Sequence, residues 1–163
     1  MSKFAATTEV TPDKSRAEIE ATLRRYGADQ FMYGWQEASA MVGFRMEGRL
    51  IKFVLPLPTC EDPAFTEYKQ GSVTYRRTES EIDKRYQQAT RQRWRALALV
   101  IKAKMEAVES GISVFDDEFL ANIVLADGQL VGDWMRPQIE EAYRIGTMPR
   151  LLPMLPPPRG EAE

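Results

Sequence analysis

Ser39-Ala40-Met41-Val42-Gly43-Phe44-Arg45-Met46-Glu47-Gly48-Arg49-Leu50-Ile51-Lys52-Phe53-Val54-Leu55 is the stretch that decides the fold. Ala40, Val42, Phe44 and Met46 alternate with Met41, Gly43 and Arg45, the period-two pattern of a half-buried strand. With Glu47-Gly48 as a two-residue loop, Phe44 falls opposite Ile51 and Val42 opposite Phe53. Both pairs are then apolar on one face, so the register is self-consistent. Arg45, Leu50, Lys52 and Val54 take the other face. Upstream, a further strand is expected near Gln30–Glu37. Before it, Ser15-Arg16-Ala17-Glu18 fits a capping box, in which the serine hydroxyl and the glutamate satisfy orphan N–H groups at a helix start. Ile19, Leu23 and Tyr26 would share the inner face of that helix, and Gly27 would end it.

Downstream, Pro56 and Pro58 end the third strand, because proline cannot donate to a ladder. Residues 59–78 read as a long loop with a short extended piece at Val73–Arg77. The longest element is a helix near Glu79–Glu109, with Ile82, Tyr86, Trp94, Leu97, Val100, Ile101, Met105 and Val108 on one apolar face. A helix this long offers a dimer interface as well as a core face. A short helix at Phe115–Ala121, a hairpin turning at Asp127-Gly128 and a last helix over Trp134–Ile145 follow. In that last helix Ile139, Ala142 and Tyr143 are expected to face inward. The expected fold class is therefore α+β: a three-stranded antiparallel meander packed against a long helix, with a helical C-terminal extension. Residues 1–13 read as a flexible arm, 14–147 as a single domain and 148–163 as a tail with five prolines suited to docking.

The chain has 163 residues, 44% of them hydrophobic and 28% charged, which suits one domain with a core of its own. No apolar run approaches the length of a membrane span. The N-terminus lacks the apolar core of a signal peptide, so a cytoplasmic location and no membrane partner are expected. There is no histidine, and Cys60 is the single cysteine. Imidazole-based catalysis, multi-thiolate metal sites and an internal disulfide are thereby excluded. No cofactor is expected.

Charge is unevenly spread. Residues 74–104 carry nine Lys/Arg against three Asp/Glu, whereas residues 105–163 carry four against eleven. Such segregation suggests one surface for a polyanion and a separate acidic one. Lys84, Arg91, Arg95 and Lys102 fall within about 40° of one another around the long helix and span about 27 Å of its axis. A row of cations on a rigid rod suits a phosphate backbone, since each contact releases counterions. The open face of the sheet would add Arg45 and Lys52, with Tyr33 and Trp35 on the neighbouring strand as platforms for bases. Carboxylates at Asp116, Asp117, Glu118, Asp127, Asp133, Glu140 and Glu141 could serve a metal nuclease only by converging. Asp116 and Asp117 fit a helix start equally well.

The stretches Ser15–Gly27, Arg91–Gly111 and Phe115–Gly132 resemble a family of small uncharacterised proteins encoded by bacteriophages and prophages, over most of residues 12–153. The resemblance implies a phage setting and carries no catalytic residue. The order helix, three strands, helix is similar to that of a double-stranded RNA-binding domain, although the lysine-rich start of that family's second helix is not matched here. The sequence thus points to a non-enzymatic nucleic-acid-binding accessory protein, acting in phage DNA metabolism. Its phosphate contacts would be Lys84, Arg91, Arg95, Lys102, Arg45 and Lys52, and its base contacts Tyr33 and Trp35. Two other functions fit the composition: an adaptor or inhibitor of a host or phage protein working through the acidic C-terminal third, and a carboxylate–metal nuclease using Asp116 and Asp117.

Overall fold

The computed structural model describes residue 5, residues 7–36 and residues 38–147. The meander consists of β1 (Gln30–Gln36), β2 (Ser39–Met46) and β3 (Arg49–Pro56), antiparallel and in that spatial order. Phe44 pairs with Ile51 and Val42 with Phe53, as the alternation requires. The turn between β2 and β3 places Glu47 at φ 50° and Gly48 at φ 73°. Positive φ at both positions gives the twist that a two-residue hairpin loop needs.

One face of the sheet is covered. α1 (Pro12–Arg25) and α3 (Glu79–Glu109) lie against it, and α4 (Phe115–Phe119) closes its end. The core consists of Ile19 and Leu23 from α1, Ala40, Val42, Phe44, Ile51 and Phe53 from the sheet, Trp94, Leu97, Ala98, Ile101 and Met105 from α3, and Phe115 and Phe119 from α4. Phe119 is fully buried and meets Phe44 and Phe53 edge-on, with ring centroids 5.7 Å and 6.2 Å away, an arrangement that ring quadrupoles favour. On α3, Val100 is exposed rather than inward. α3 runs unbroken for 31 residues, so its length is met by α1 and the sheet without a break.

Helix α1 starts earlier than the capping box at Ser15 predicts. Thr11 is the cap, its hydroxyl accepting from Lys14 N at 3.3 Å, and Pro12 opens the helix. Proline in the first turn costs no hydrogen bond and presets φ, so Thr-Pro outcompetes Ser15. Residue 15 instead continues the inward row Ser15, Ile19, Leu23. Ser15 is fully buried and its Oγ has no hydrogen-bond partner.

Within the stretch expected as a loop, α2 (Pro63–Thr66) is followed by a hairpin of β4 (Glu67–Gln70) and β5 (Val73–Arg76). Gly71, at φ 61°, opens its two-residue loop. A 3₁₀ turn (Leu120–Asn122) follows α4. Ile123 then bridges Ile51, and Val124 N donates to Leu50 O at 2.8 Å, so this segment lines the outer edge of β3. The hairpin at Asp127-Gly128 is reduced to one bridge, Val124 with Leu130. α5 (Val131–Ile145) docks on the 3₁₀ turn through Gly132, where a Cβ would stand 2.9 Å from Ala121 O. The expectation that Tyr143 faces inward is overturned, since it is 87% exposed, while Ile139 faces the body across an open cleft shared with Lys104, Leu120 and Ala121 and stays half exposed. α5 therefore borders the body along residues 131–140 without fully burying a residue. The proline-rich tail lies outside the described residues.

The unpartnered hydroxyl yields a stability prediction. Ser15→Ala removes a buried polar group that makes no hydrogen bond, so chemical denaturation is expected to show a gain of about 1 kcal/mol. A loss of stability would mean that Ser15 Oγ has a partner after all.

Candidate nucleic-acid interface

α3 begins in a capping box: Thr78 N donates to Glu81 Oε2 at 3.0 Å, and Glu81 N donates to Thr78 Oγ1 at 3.4 Å. α1 runs parallel to α3, as three contacts in succession show. Gln88 Nε2 donates to Thr8 O at 3.1 Å, Arg95 pairs with Glu18, and Tyr26 Oη donates to Glu106 Oε2 at 2.8 Å. The last bond holds the Tyr26 hydroxyl pKa above its ordinary value.

The four cations of the expected row therefore divide. Lys84 and Lys102 are exposed at either end. Arg91 is half-buried and donates through Nε and Nη2 to Gln88 Oε1 at 3.1 Å and 2.7 Å. Arg95 is the cationic half of the clamp between α1 and α3. The middle of the row thus belongs to a helix seam, and its guanidinium groups are already engaged.

The grouping of Arg45 and Lys52 with Tyr33 and Trp35 needs correction. Tyr33 pairs with Val42 and Trp35 with Ala40, residues of the buried face. Arg45 and Lys52 project from the opposite face, because side chains alternate along a strand. Tyr33 packs 5.6 Å from the Trp94 ring, with Arg16 4.4 Å above it. Trp35, 5.8 Å from Tyr33, is 74% exposed at the sheet edge. Arg45 lies 3.8 Å from Asp29, and Lys52 is half-buried.

A different set comes together at the start of α3. From Lys84 to Lys104 the chain has seven basic residues and no carboxylate. Arg95 and Lys104 are tied to Glu18 and Glu118. Arg93 donates to Pro56 O at 2.7 Å. Among the described residues, Lys84, Arg85 and Arg91 form no ion pair, nor do Lys69, Arg76 and Arg77 of the adjoining hairpin. Tyr68 and Tyr75 pair across β4 and β5 with rings stacked 5.6 Å apart at 25°, both exposed. Arg77 lies 4.9 Å above Tyr68, and its buried Nε has no hydrogen-bond partner. Tyr75 and Arg76 share a cleft of about 550 Å³ with Cys60, Thr66 and Ile82, which places the hairpin beside the first turn of α3. The acidic residues at this end are Glu61, Asp62, Glu67, Glu79, Glu81 and Asp83; Glu61 and Glu67 line the cleft, Glu67 stands opposite Arg76 across the hairpin, Glu81 is held by the cap and Asp83 accepts from Gln87 at 3.5 Å.

Arg76, Arg77 and Arg85 stand just ahead of or within the start of the basic row in the sequence, but the tyrosine pair beside them is not foreseen from that row. The signal was present: Glu67-Tyr68-Lys69-Gln70 and Val73-Thr74-Tyr75-Arg76 flank Gly71-Ser72, a two-residue hairpin pattern. The carboxylates do not converge. Asp116 faces Arg49 at 3.4 Å, Glu118 faces Lys104 at 3.3 Å and Asp133 faces Arg136 at 3.1 Å. Among the described residues no three His, Cys, Asp or Glu side chains are grouped to hold a metal ion, and no helix is long and apolar enough to cross a membrane. No protein-family model, curated protein or solved structure matches the chain.

Two measurements check this geometry. Arg95→Glu is expected to lower stability by about 1 kcal/mol, and adding Glu18→Arg to recover part of it, as read by thermal melting; equal stability of all three proteins would remove the clamp. The hydrogen bonds from Thr78 to Glu81 hold that carboxyl below its ordinary pKa. Its contribution is therefore complete above the unfolded-chain value of about 4.3 and is lost as the pH falls through the lower folded value. The protection of the first-turn amides of α3, measured against the unprotected chain at the same pH, should fall over that acid range in the wild type. In Glu81→Ala that protection should already be low at neutral pH.

Proposed function

We propose that the protein is a non-enzymatic accessory protein that binds single-stranded nucleic acid at the hairpin end of α3. The observation that carries this reading is a set of cations that form no ion pair among the described residues, Lys69, Arg76, Arg77, Lys84 and Arg85, beside an exposed tyrosine pair. Phosphates gain from cations whose charge is not already neutralised. Exposed aromatic rings beside them accept bases of any sequence by stacking. Lys102 extends the path along α3, whereas Arg95 serves the fold. Tyr33 and Trp35 lie on the far side of the sheet from Arg45 and Lys52, which favours the tyrosines of the hairpin as the base contacts. The resemblance to phage-encoded proteins suggests phage DNA metabolism as the setting.

One observation favours a second reading, an adaptor for a host or phage protein. α5 presents Trp134, Ile139, Tyr143 and Ile145 to solvent, in a C-terminal third rich in carboxylates.

Fluorescence anisotropy with labelled single- and double-stranded DNA and RNA at several salt concentrations decides between them. Single strands are expected to bind most tightly, with a salt slope of about −3 to −4 for roughly five phosphates. Tyr68→Ala and Tyr75→Ala should each weaken binding by about 1–3 kcal/mol. The combination Arg76→Glu, Arg77→Glu, Lys84→Glu and Arg85→Glu should abolish it, and Arg45→Glu should leave it unchanged. No binding to any of the four nucleic acids would sink this reading and turn attention to α5.

A further inference from the structure

The three-stranded sheet has two edges, and they are treated differently. The outer edge of β3 is covered by Ile123 and Val124. β1 has β2 on one side and no strand on the other among the described residues. Natural edge strands are usually blunted by charges, proline, a bulge or shortness. β1 has none of these: it is seven residues long, reads Gln-Phe-Met-Tyr-Gly-Trp-Gln and pairs with β2 without a bulge. Met32 and Trp35 are 46% and 74% exposed along it.

We propose that β1 is the seam of a symmetric dimer, in which it pairs antiparallel with β1 of a second copy of this chain to give one continuous six-stranded sheet. The sequence of the strand is self-complementary about its central residue. With Tyr33 opposite its own counterpart, Phe31 meets Trp35 on the helix-covered face, twice by symmetry. Met32 meets Gly34 on the open face, where Met32 already lies over Gly43 and Met41 over Gly34, so the pair adds an apolar border without a bulky side chain at the glycine. Gln30 meets Gln36 at each end, so each amide can donate to and accept from the other. Aromatic pairs directly opposite one another are among the stronger cross-strand contacts, and here two different pairings supply them in one register. Asp29 and Glu37 flank the strand, so a longer pairing would set carboxylates against each other and is disfavoured. Arg16, which sits over Tyr33, is already paired with Asp13, so the two copies bring no unpaired cation to the axis. A second copy therefore satisfies the edge more completely than an arbitrary peptide, which would match one face of the strand at a time. The inference is independent of the nucleic-acid reading, since β1 contributes nothing to the hairpin surface.

Sedimentation velocity on the full chain, from about 1 µM to about 100 µM, tests it. A seven-residue strand pair is a small interface, for which weak association, with a dissociation constant of about micromolar order, is expected. Trp35→Lys, at a side chain with little packing of its own, should weaken association at least tenfold while the circular dichroism and melting temperature stay unchanged. Register is tested by charge. Gln30→Lys with Gln36→Lys, and separately Gln30→Glu with Gln36→Glu, should each favour the monomer, and an equimolar mixture should restore the dimer. A monomeric wild type across the range overturns the proposal. So does a dimer that Trp35→Lys leaves intact, or a charge mixture that stays monomeric. Nucleic-acid affinity measured on Trp35→Lys reports on the hairpin alone, so failure of one reading leaves the other standing.

Discussion

The structure depends on one constraint: the meander can be buried on one face only. β2 supplies Ala40, Val42 and Phe44 to that face and Met41, Gly43 and Arg45 to the other, and no shift of register could bury both sets. Every covering element is therefore recruited to the same side. α1 and α3 lie there side by side, and Phe119 from α4 fills the gap between Phe44 and Phe53. The polar clamps between α1 and α3 follow from that crowding. Glu18 and Arg95 meet because two parallel helices over a narrow sheet must touch along their length.

The same constraint sorts the basic residues. Cations near the covered face are engaged: Arg95 and Lys104 by carboxylates, Arg91 by an amide and Arg93 by a carbonyl. Beyond the sheet, where the first turns of α3 meet the hairpin, Lys69, Arg76, Arg77, Lys84 and Arg85 form no ion pair among the described residues although carboxylates such as Glu61 and Glu67 lie nearby, and two tyrosines stack beside them. A helical wheel registers direction around an axis but not what occupies that direction. The row Lys84, Arg91, Arg95 and Lys102 is real in angle, yet half of it lies in a helix seam.

What was legible in the sequence follows from how local each signal is. The pairing of Phe44 with Ile51 and Val42 with Phe53 could be read because alternation and a two-residue turn fix register within a few residues. The long helix was legible from its apolar spacing, and Gly111, at φ 72°, lies just beyond its cap. The helix start at Thr11 was obscured by a second plausible cap at Ser15, and only packing against α3 makes that serine an interior residue. The faces of Tyr33 and Trp35 follow from how β1 registers on β2, and alternation within β1 already sets the row Phe31, Tyr33 and Trp35 apart from Gln30, Met32, Gly34 and Gln36. The inward face expected for α5 failed at Tyr143 because amphipathic spacing specifies a face without guaranteeing that anything covers it.

The parallel arrangement of α1 and α3 has a consequence for assembly. Its contacts join residues about half the chain apart: Thr8 with Gln88, Glu18 with Arg95 and Tyr26 with Glu106. Asn122 likewise reaches back to Lys52 O across 70 residues. Contacts at such separations must overcome loop closure before they reward it. The meander closes through short turns, whereas its lid comes from segments on both sides of it in the chain, α1 before it and α3 and α4 after it. A nascent chain on the ribosome that has not yet released Phe119 would carry α1 and the sheet but leave the gap between Phe44 and Phe53 unfilled.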